Sequence, residues 1–300
     1  MNLETTLRDG RSEITAKQYL ARLRILNDGN DVKSLVFLKN KKTIEEKIGK
    51  RAESTRPSYY SAIIAAIGPY KSYEALRNYY RRRLDATNKS LKSQIDTHEK
   101  TDTQKESMID SEVLRKRLTE LKASLVASPS SEKEWNAYLY HLVLSLYMEM
   151  PPRRNQDYYY MYAVKKEPKT LSEDRNYYVM SKGEFIFNKY KTSKAYGTVR
   201  LPVPETLQQT LKAYLKHYNE FNGGAEVPLL AFFDGTRPHA VNGMTRLLHK
   251  AIGKKVGSTA LRHIYLSEKY KDVLDAQVDM ESDRKAMSHS AGVQLEYIKR

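Results

Sequence analysis

The chain contains no cysteine. That absence excludes disulfides, thiolate metal ligation and a cysteine nucleophile together. No apolar run long enough to span a membrane is present, and the opening MNLETTLRDGRSEIT has no apolar stretch after its first charges. Neither a spanning segment nor a secretory signal is therefore expected, and the protein should work inside a cell. Histidine is sparse. His98, His141, His217, His239, His249, His263 and His289 form no i, i+4 pair and no H-E-x-x-H arrangement, so no protein-built zinc site is expected. Internal repeats and low-complexity tracts are also missing.

Positive charge is abundant. Fifty-two Lys and Arg stand against 36 Asp and Glu, a formal charge of +16, and the excess is spread along the chain without a polybasic tail. With 40% hydrophobic residues in 300, the chain can bury a core and is long enough for two domains. Spread basicity on a folded protein points to a polyanionic partner, with nucleic acid favoured over a membrane surface because no lipidation signal or strongly apolar amphipathic helix accompanies it.

Residues 1–95 read as a small helical bundle. Tyr19, Leu20, Leu23 and Leu26 share a face, Thr43 opens a helix stopped at Gly49, and Thr55-Arg56-Pro57 looks like an N-cap followed by proline. A last helix should run from about Ser72 through Leu84 toward Leu91. From Asn88 to about Ile109 apolar periodicity is lost, which places a linker over 96–110 and a second domain over 111–300.

In that second domain Ser131-Glu132-Lys133-Glu134 resembles a capping box, and Trp135, Leu139, Leu142 and Leu146 form a helical stripe that Pro151-Pro152 must end. Tyr177 to Met180 and Phe185 to Phe187 flank the turn Ser181-Lys182-Gly183-Glu184 as a β-hairpin, with Thr198 to Val203 as a third strand. Tyr158-Tyr159-Tyr160 reads as packing. Helices are expected over about 207–218, 239–252, 258–270, 280–287 and 292–298. The fold class is thus mainly α with a small antiparallel β-sheet.

Within this frame Arg262, His289 and Tyr297 suggest phosphodiester chemistry. An arginine fork grips phosphate oxygens, a histidine can donate to another, and a tyrosine hydroxyl can attack phosphorus.

Five segments together resemble the tyrosine recombinases, or lambda-type integrases. Met150-Pro151-Pro152-Arg153-Arg154-Asn155-Gln156-Asp157 is similar to the family's first arginine box, whose arginine precedes an acid by three residues; this selects Arg154 with Asp157, and Arg153 is the alternative. Tyr190-Lys191-Thr192 falls in the predicted loop where the family keeps a lysine. Ala260-Leu261-Arg262-His263 resembles the second arginine box, Met287-Ser288-His289-Ser290 the Gly-His-Ser segment, and Tyr297 falls where the nucleophile belongs. Departures are Thr259 where a histidine is common, Ser288 for glycine, and eight rather than nine residues from His289 to Tyr297. The double proline is similar to integrases of large eukaryotic DNA viruses and mobile elements.

The resemblance implies a helical core-binding domain joined to a mixed α+β catalytic domain acting on double-stranded DNA, and a homotetramer on two DNA sites at synapsis. It implies no metal and no cofactor. Arg154, Arg262 and His289 would stabilise charge on the phosphate, and Tyr297 would form a 3′-phosphotyrosyl link. Lys191 would protonate the leaving 5′-oxygen, with Lys189 and Lys194 as alternatives, and Asp157 would orient an arginine. Candidate DNA contacts outside the site are Arg77, Arg81 and Arg82 on the helix before the linker, and Arg237, His239, Asn242 and Arg246 after a Gly-Thr-Arg-Pro turn. The same residues fit two further readings. One is a strand-passage enzyme of type IB topoisomerase kind; the other is a DNA-binding relative whose chemistry has decayed.

Overall fold

Short polar caps decide where two of the N-terminal helices begin. In this computed structural model, which describes residues 3–96, 109–288 and 290, α1 covers Leu3–Arg8 and α2 covers Glu13–Leu26, the latter opened by Ser12, whose hydroxyl accepts from the Thr15 N–H at 3.2 Å. Asn40 opens α3 (Lys41–Gly49) in the same way, three residues before Thr43, the expected opening residue. Next come α4 (Arg56–Ile67) and α5 (Glu74–Asp96). Tyr59, Tyr60, Ile63, Ala66 and Ile67 of α4 are buried against Leu23, Leu26, Ile44, Ile48 and Tyr80. The Tyr80 hydroxyl donates to the Leu38 carbonyl at 2.8 Å, so this buried polar group keeps a partner. The helix continues through residues 88–95, where loss of apolar periodicity had suggested the approach to a linker; residues 74–96 contain neither Gly nor Pro to stop it.

The chain divides into two compact units, Met1–Lys100 and Thr101–Arg300. The second unit is organised around one long buried helix. After α6 (Ser111–Ala123), the Ser131/Glu134 capping box starts α7 (Glu132–Met148). Trp135, Leu139, Leu142, Val143 and Leu146 of α7 are buried. The Trp135 indole donates to the Ala231 carbonyl at 2.9 Å and its ring lies 5.0 Å from that of Tyr214.

The remaining elements are α8 (Asn155–Tyr159), β1 (Met161–Val164), β2 (Asn176–Val179), β3 (Glu184–Phe187), α9 (Ser193–Tyr196), β4 (Val199–Pro202), α10 (Glu205–Leu215), α11 (Asn219–Asn222), β5 (Val227–Pro228), α12 (Val241–Ile252) and α13 (Ser258–Ala286). The buried helix α7 packs against α6, α10 and α12. Five strands run in the order β4-β3-β2-β1-β5.

The sheet is mixed, which corrects the antiparallel expectation. The β2–β3 and β3–β4 pairs are antiparallel, but β1 and β2 are parallel, with Met161 opposite Asn176, because residues 165–175 carry the chain back to the start of the sheet before it re-enters. Strands β1 and β5 were not anticipated. At the hairpin turn Gly183 has φ +59°, and a Cβ there would lie 2.5 Å from the Gln208 side chain, so glycine suits it on both counts.

A second correction concerns α13, which is continuous where two helices separated by residues 271–279 were expected. Leu261 and Ile264 anchor it in the core, whereas Leu266, Tyr270, Val273 and Val278 are exposed. The helix expected over 292–298 lies outside the described residues. Among the described residues no helix is long and apolar enough to cross a membrane.

Candidate phosphate-binding site

Two prolines set up the first part of the site. Pro151-Pro152 end the run of α7, and the chain leaves the buried helix at Arg153 and Arg154. Arg154 takes the extended N-cap conformation of α8, at φ −75° and ψ 150°. The adjacent arginines then part company. Arg153 turns inward, donating from Nε to Oδ2 of Asp157 at 2.9 Å, with its guanidinium 3.8 Å from the Phe187 ring centroid and 5.3 Å from that of Tyr190. Arg154 is half-exposed, and its side chain makes no hydrogen bond or ion pair with any described residue. Asp157 therefore orients Arg153, while its backbone N–H donates to the Arg154 carbonyl at 2.9 Å.

Asp157 is only 2% exposed, and its Oδ1 has no partner among the described residues. Burial pushes its carboxyl above the ordinary aspartate value, against the opposing pull of the Arg153 charge and hydrogen bond.

Asn176, the first residue of β2, joins this corner to the lysine-bearing loop. Fully buried, it uses all its amide capacity: Nδ2 donates to the carbonyls of Asp157 at 2.7 Å and Lys189 at 2.9 Å, and Oδ1 accepts from the N–H groups of Asn188 at 2.8 Å and Lys189 at 2.7 Å. The far end of the loop is closed by the Tyr190 hydroxyl, which donates to the Gly197 carbonyl at 2.8 Å. Lys189 is occupied, with Nζ 3.1 Å from Asp174 and 4.2 Å from the Tyr160 ring centroid. Lys191 and Lys194 are exposed and make no such contact with a described residue.

The second arginine box enters on α13. Arg262 lies between the buried anchors Leu261 and Ile264, is half-exposed, and pairs with no described carboxylate. It shares an open pocket of about 300 Å³ with Arg153, Arg154, Asp157, Tyr190, Thr192 and Tyr196. The first arginine box is braced against α12, because the Tyr147 hydroxyl donates to Asn155 Oδ1 at 2.7 Å and Asn155 Nδ2 donates to the Thr245 hydroxyl at 2.9 Å. Two guanidinium groups in one pocket, neither in an ion pair with a described residue, suit a phosphate, whose oxygens accept from such forks.

Thr259 is exposed on the first turn of α13 and does not line this pocket. His289 and Tyr297 lie outside the described residues.

The other candidate contacts divide by engagement. Arg77 is half-buried and donates to the Gly68 carbonyl at 2.7 Å, just beyond the end of α4, whereas Arg81 and Arg82 are exposed. Arg237 lies 4.8 Å from the Tyr159 ring centroid and donates to the Tyr162 hydroxyl at 3.3 Å. His239, Asn242 and Arg246 are exposed around the start of α12. In the Tyr158-Tyr159-Tyr160 run, Tyr158 is packed inside, its hydroxyl donating to the Leu146 carbonyl, while its two neighbours are half-buried.

Sequence reasoning missed Asn176 and Tyr196, and named Thr192 only as a neighbour of Lys191. A lone asparagine opening an aromatic strand carried no signal. Tyr196 was one of many tyrosines, yet it is 73% exposed and lines the pocket. Comparison of the chain with protein-family models, curated proteins and solved structures gives no match.

Proposed function

We propose that the protein is a tyrosine recombinase that cleaves and rejoins double-stranded DNA, with residues 1–95 as a core-binding domain and 111–300 as the catalytic domain. The observation that carries the reading is that Arg154 and Arg262, from segments separated by the whole sheet, line one pocket, neither hydrogen-bonded to nor ion-paired with a described carboxylate. Its rim is the loop that carries Lys191.

In the proposed reaction a DNA phosphodiester occupies this pocket. Attack adds negative charge to the non-bridging oxygens, which Arg154 and Arg262 stabilise, with His289 as a third donor. The Tyr297 hydroxyl loses its proton to solvent water as its oxygen bonds to phosphorus. The bond from phosphorus to the 5′-oxygen breaks, and Lys191 protonates that oxygen. A 3′-phosphotyrosyl ester results, and a 5′-hydroxyl from a partner duplex reverses the step. Lys191 is preferred to Lys189 because Lys189 is engaged by Asp174 and Tyr160. Four protomers on two DNA sites are the proposed assembly.

One observation favours the decayed-enzyme reading as the alternative. The position where a histidine is common is an exposed threonine, Thr259, which is a poor general base. Covalent trapping on a nicked DNA substrate separates the two: a recombinase yields a denaturant-stable adduct, whereas a decayed relative binds DNA without one.

A further inference from the structure

In the N-terminal unit five basic side chains are paired with four acids. Arg8 and Lys17 pair with Glu13, Arg24 with Asp31, Lys47 with Asp28 and Arg83 with Glu45. Arg22 and Arg51 have no carboxylate partner among the described residues, although both crowd one aromatic ring. Their guanidinium carbons lie 5.9 and 5.8 Å from the Tyr59 centroid, and Tyr59 is only 4% exposed, so the ring is a fixed support.

Both arginines are placed by further contacts. Arg22 donates from Nε to the Ser58 hydroxyl at 2.8 Å and from Nη1 to the Gln18 carbonyl at 3.0 Å, leaving Nη2 uncommitted. The Arg51 carbonyl accepts from Arg56 Nε at 3.0 Å, while Arg56 Nη2 donates to the Gly49 carbonyl at 3.0 Å, which pins the backbone from which Arg51 projects. The first turn of α4 has no side-chain cap, so its N-terminal dipole adds to the positive potential at this corner. Two like charges held on one ring without a counter-ion repel each other, and an anion arriving between them relieves that repulsion. They are also ordered in advance, which reduces the entropy lost on binding.

We propose that Arg22 and Arg51, supported on Tyr59, form a phosphodiester grip through which the N-terminal unit holds the backbone of duplex DNA. The proposal rests on the reading of the protein as a DNA enzyme, but places backbone contact on the α2–α4 corner rather than on the basic run of α5. One strand offers a charge every ~3.4 Å of axis, and each arginine is assigned one phosphate contact.

The test is the salt dependence of duplex binding by the full chain, measured by fluorescence anisotropy on a labelled random-sequence duplex. The double variant Arg22→Gln/Arg51→Gln is compared with Arg8→Gln/Arg24→Gln, which makes the same charge change at carboxylate-paired arginines. The slope of log affinity against log salt should fall by about two for the first pair, roughly one per lost phosphate contact, and stay nearly unchanged for the second. Equal changes in both, no change in the first, or no duplex binding by the wild type overturns the grip. If loss of the Arg22–Ser58 bond unfolds the double variant, Arg51→Gln alone serves, because its side chain makes no hydrogen bond with a described residue; it should lower the slope by about one, and an unchanged slope overturns the proposal. A Tyr297 adduct is assayed separately. Its absence beside a changed slope would defeat the recombinase reading and leave the grip standing.

Discussion

Arg153 gives its Nε hydrogen bond to Asp157 at 2.9 Å, whereas its neighbour Arg154, lining the same pocket, makes no hydrogen bond or ion pair with a described residue. Adjacent arginines thus have opposite expected phenotypes. Arg153→Gln leaves a buried carboxylate without its cation and should destabilise the fold by about 3 kcal/mol, read from urea unfolding. Arg154→Gln and Arg262→Gln should each change stability by no more than about 0.5 kcal/mol, yet slow adduct formation on DNA by about 100-fold or more. Equal destabilisation by Arg153→Gln and Arg154→Gln would contradict the division.

The buried carboxyl of Asp157 gives the site a pH signature. Its folded pKa is raised above the unfolded value, so its contribution is fully present below the unfolded pKa and is lost as pH rises through the folded one. Compared with Asp157→Asn, the wild type should therefore become relatively less stable as pH rises from below the carboxylate range to neutrality. Urea unfolding of both proteins across that range reads the difference, and the opposite trend would show that the Arg153 pair outweighs desolvation.

Acid should act on α7 in the other direction. His141 is 4% exposed, and burial, aided by the Lys122 charge, pushes its pKa down to about 4. Because the folded value is depressed, the neutral ring's contribution is present above the ordinary histidine value and is lost as pH falls from about 6.5 toward 4. The loss amounts to at most about 3 kcal/mol. His141→Phe should flatten this part of the stability profile in thermal melts between pH 7.5 and pH 4; an unchanged acid transition would assign it to other groups.

Asn176 offers a test of the loop. Asn176→Ala strips partners from two N–H groups and two carbonyls at the base of the Lys191 segment, and should cost about 3 kcal/mol while slowing strand cleavage. Asn176→Asp turns an acceptor oxygen toward the carbonyls of Asp157 and Lys189 in a fully buried site and should cost at least as much. Wild-type stability in Asn176→Ala would mean that water replaces the amide at little cost.

Much of this architecture could be read from local signals. Ser131 and Glu134 announced α7, Pro151-Pro152 its end, and Ser181-Lys182-Gly183-Glu184 the turn between β2 and β3, because caps, prolines and tight turns act within a few residues. What escaped depended on distant partners. The parallel pairing of β1 with β2 is decided by the path of residues 165–175, and Val227–Pro228 is too short to show a period. α13 was divided because its apolar stripe gives way to charge beyond Tyr270, although 258–286 contains no Gly or Pro to break it. In the site, the two arginine boxes were legible as types in a spacing. That Asp157 takes Arg153 rather than Arg154 follows from the position of Phe187 on β3, which no local pattern encodes.

The most direct measurement uses a nicked suicide substrate built on a DNA site that footprinting shows the protein to protect. Wild type and Tyr297→Phe are incubated with it, separated on a denaturing gel, and the adduct is mapped by mass spectrometry. A DNA-linked band is expected in the wild type alone, with the nucleotide on Tyr297. Protection of the site with no adduct, or an adduct that persists in Tyr297→Phe, would contradict it.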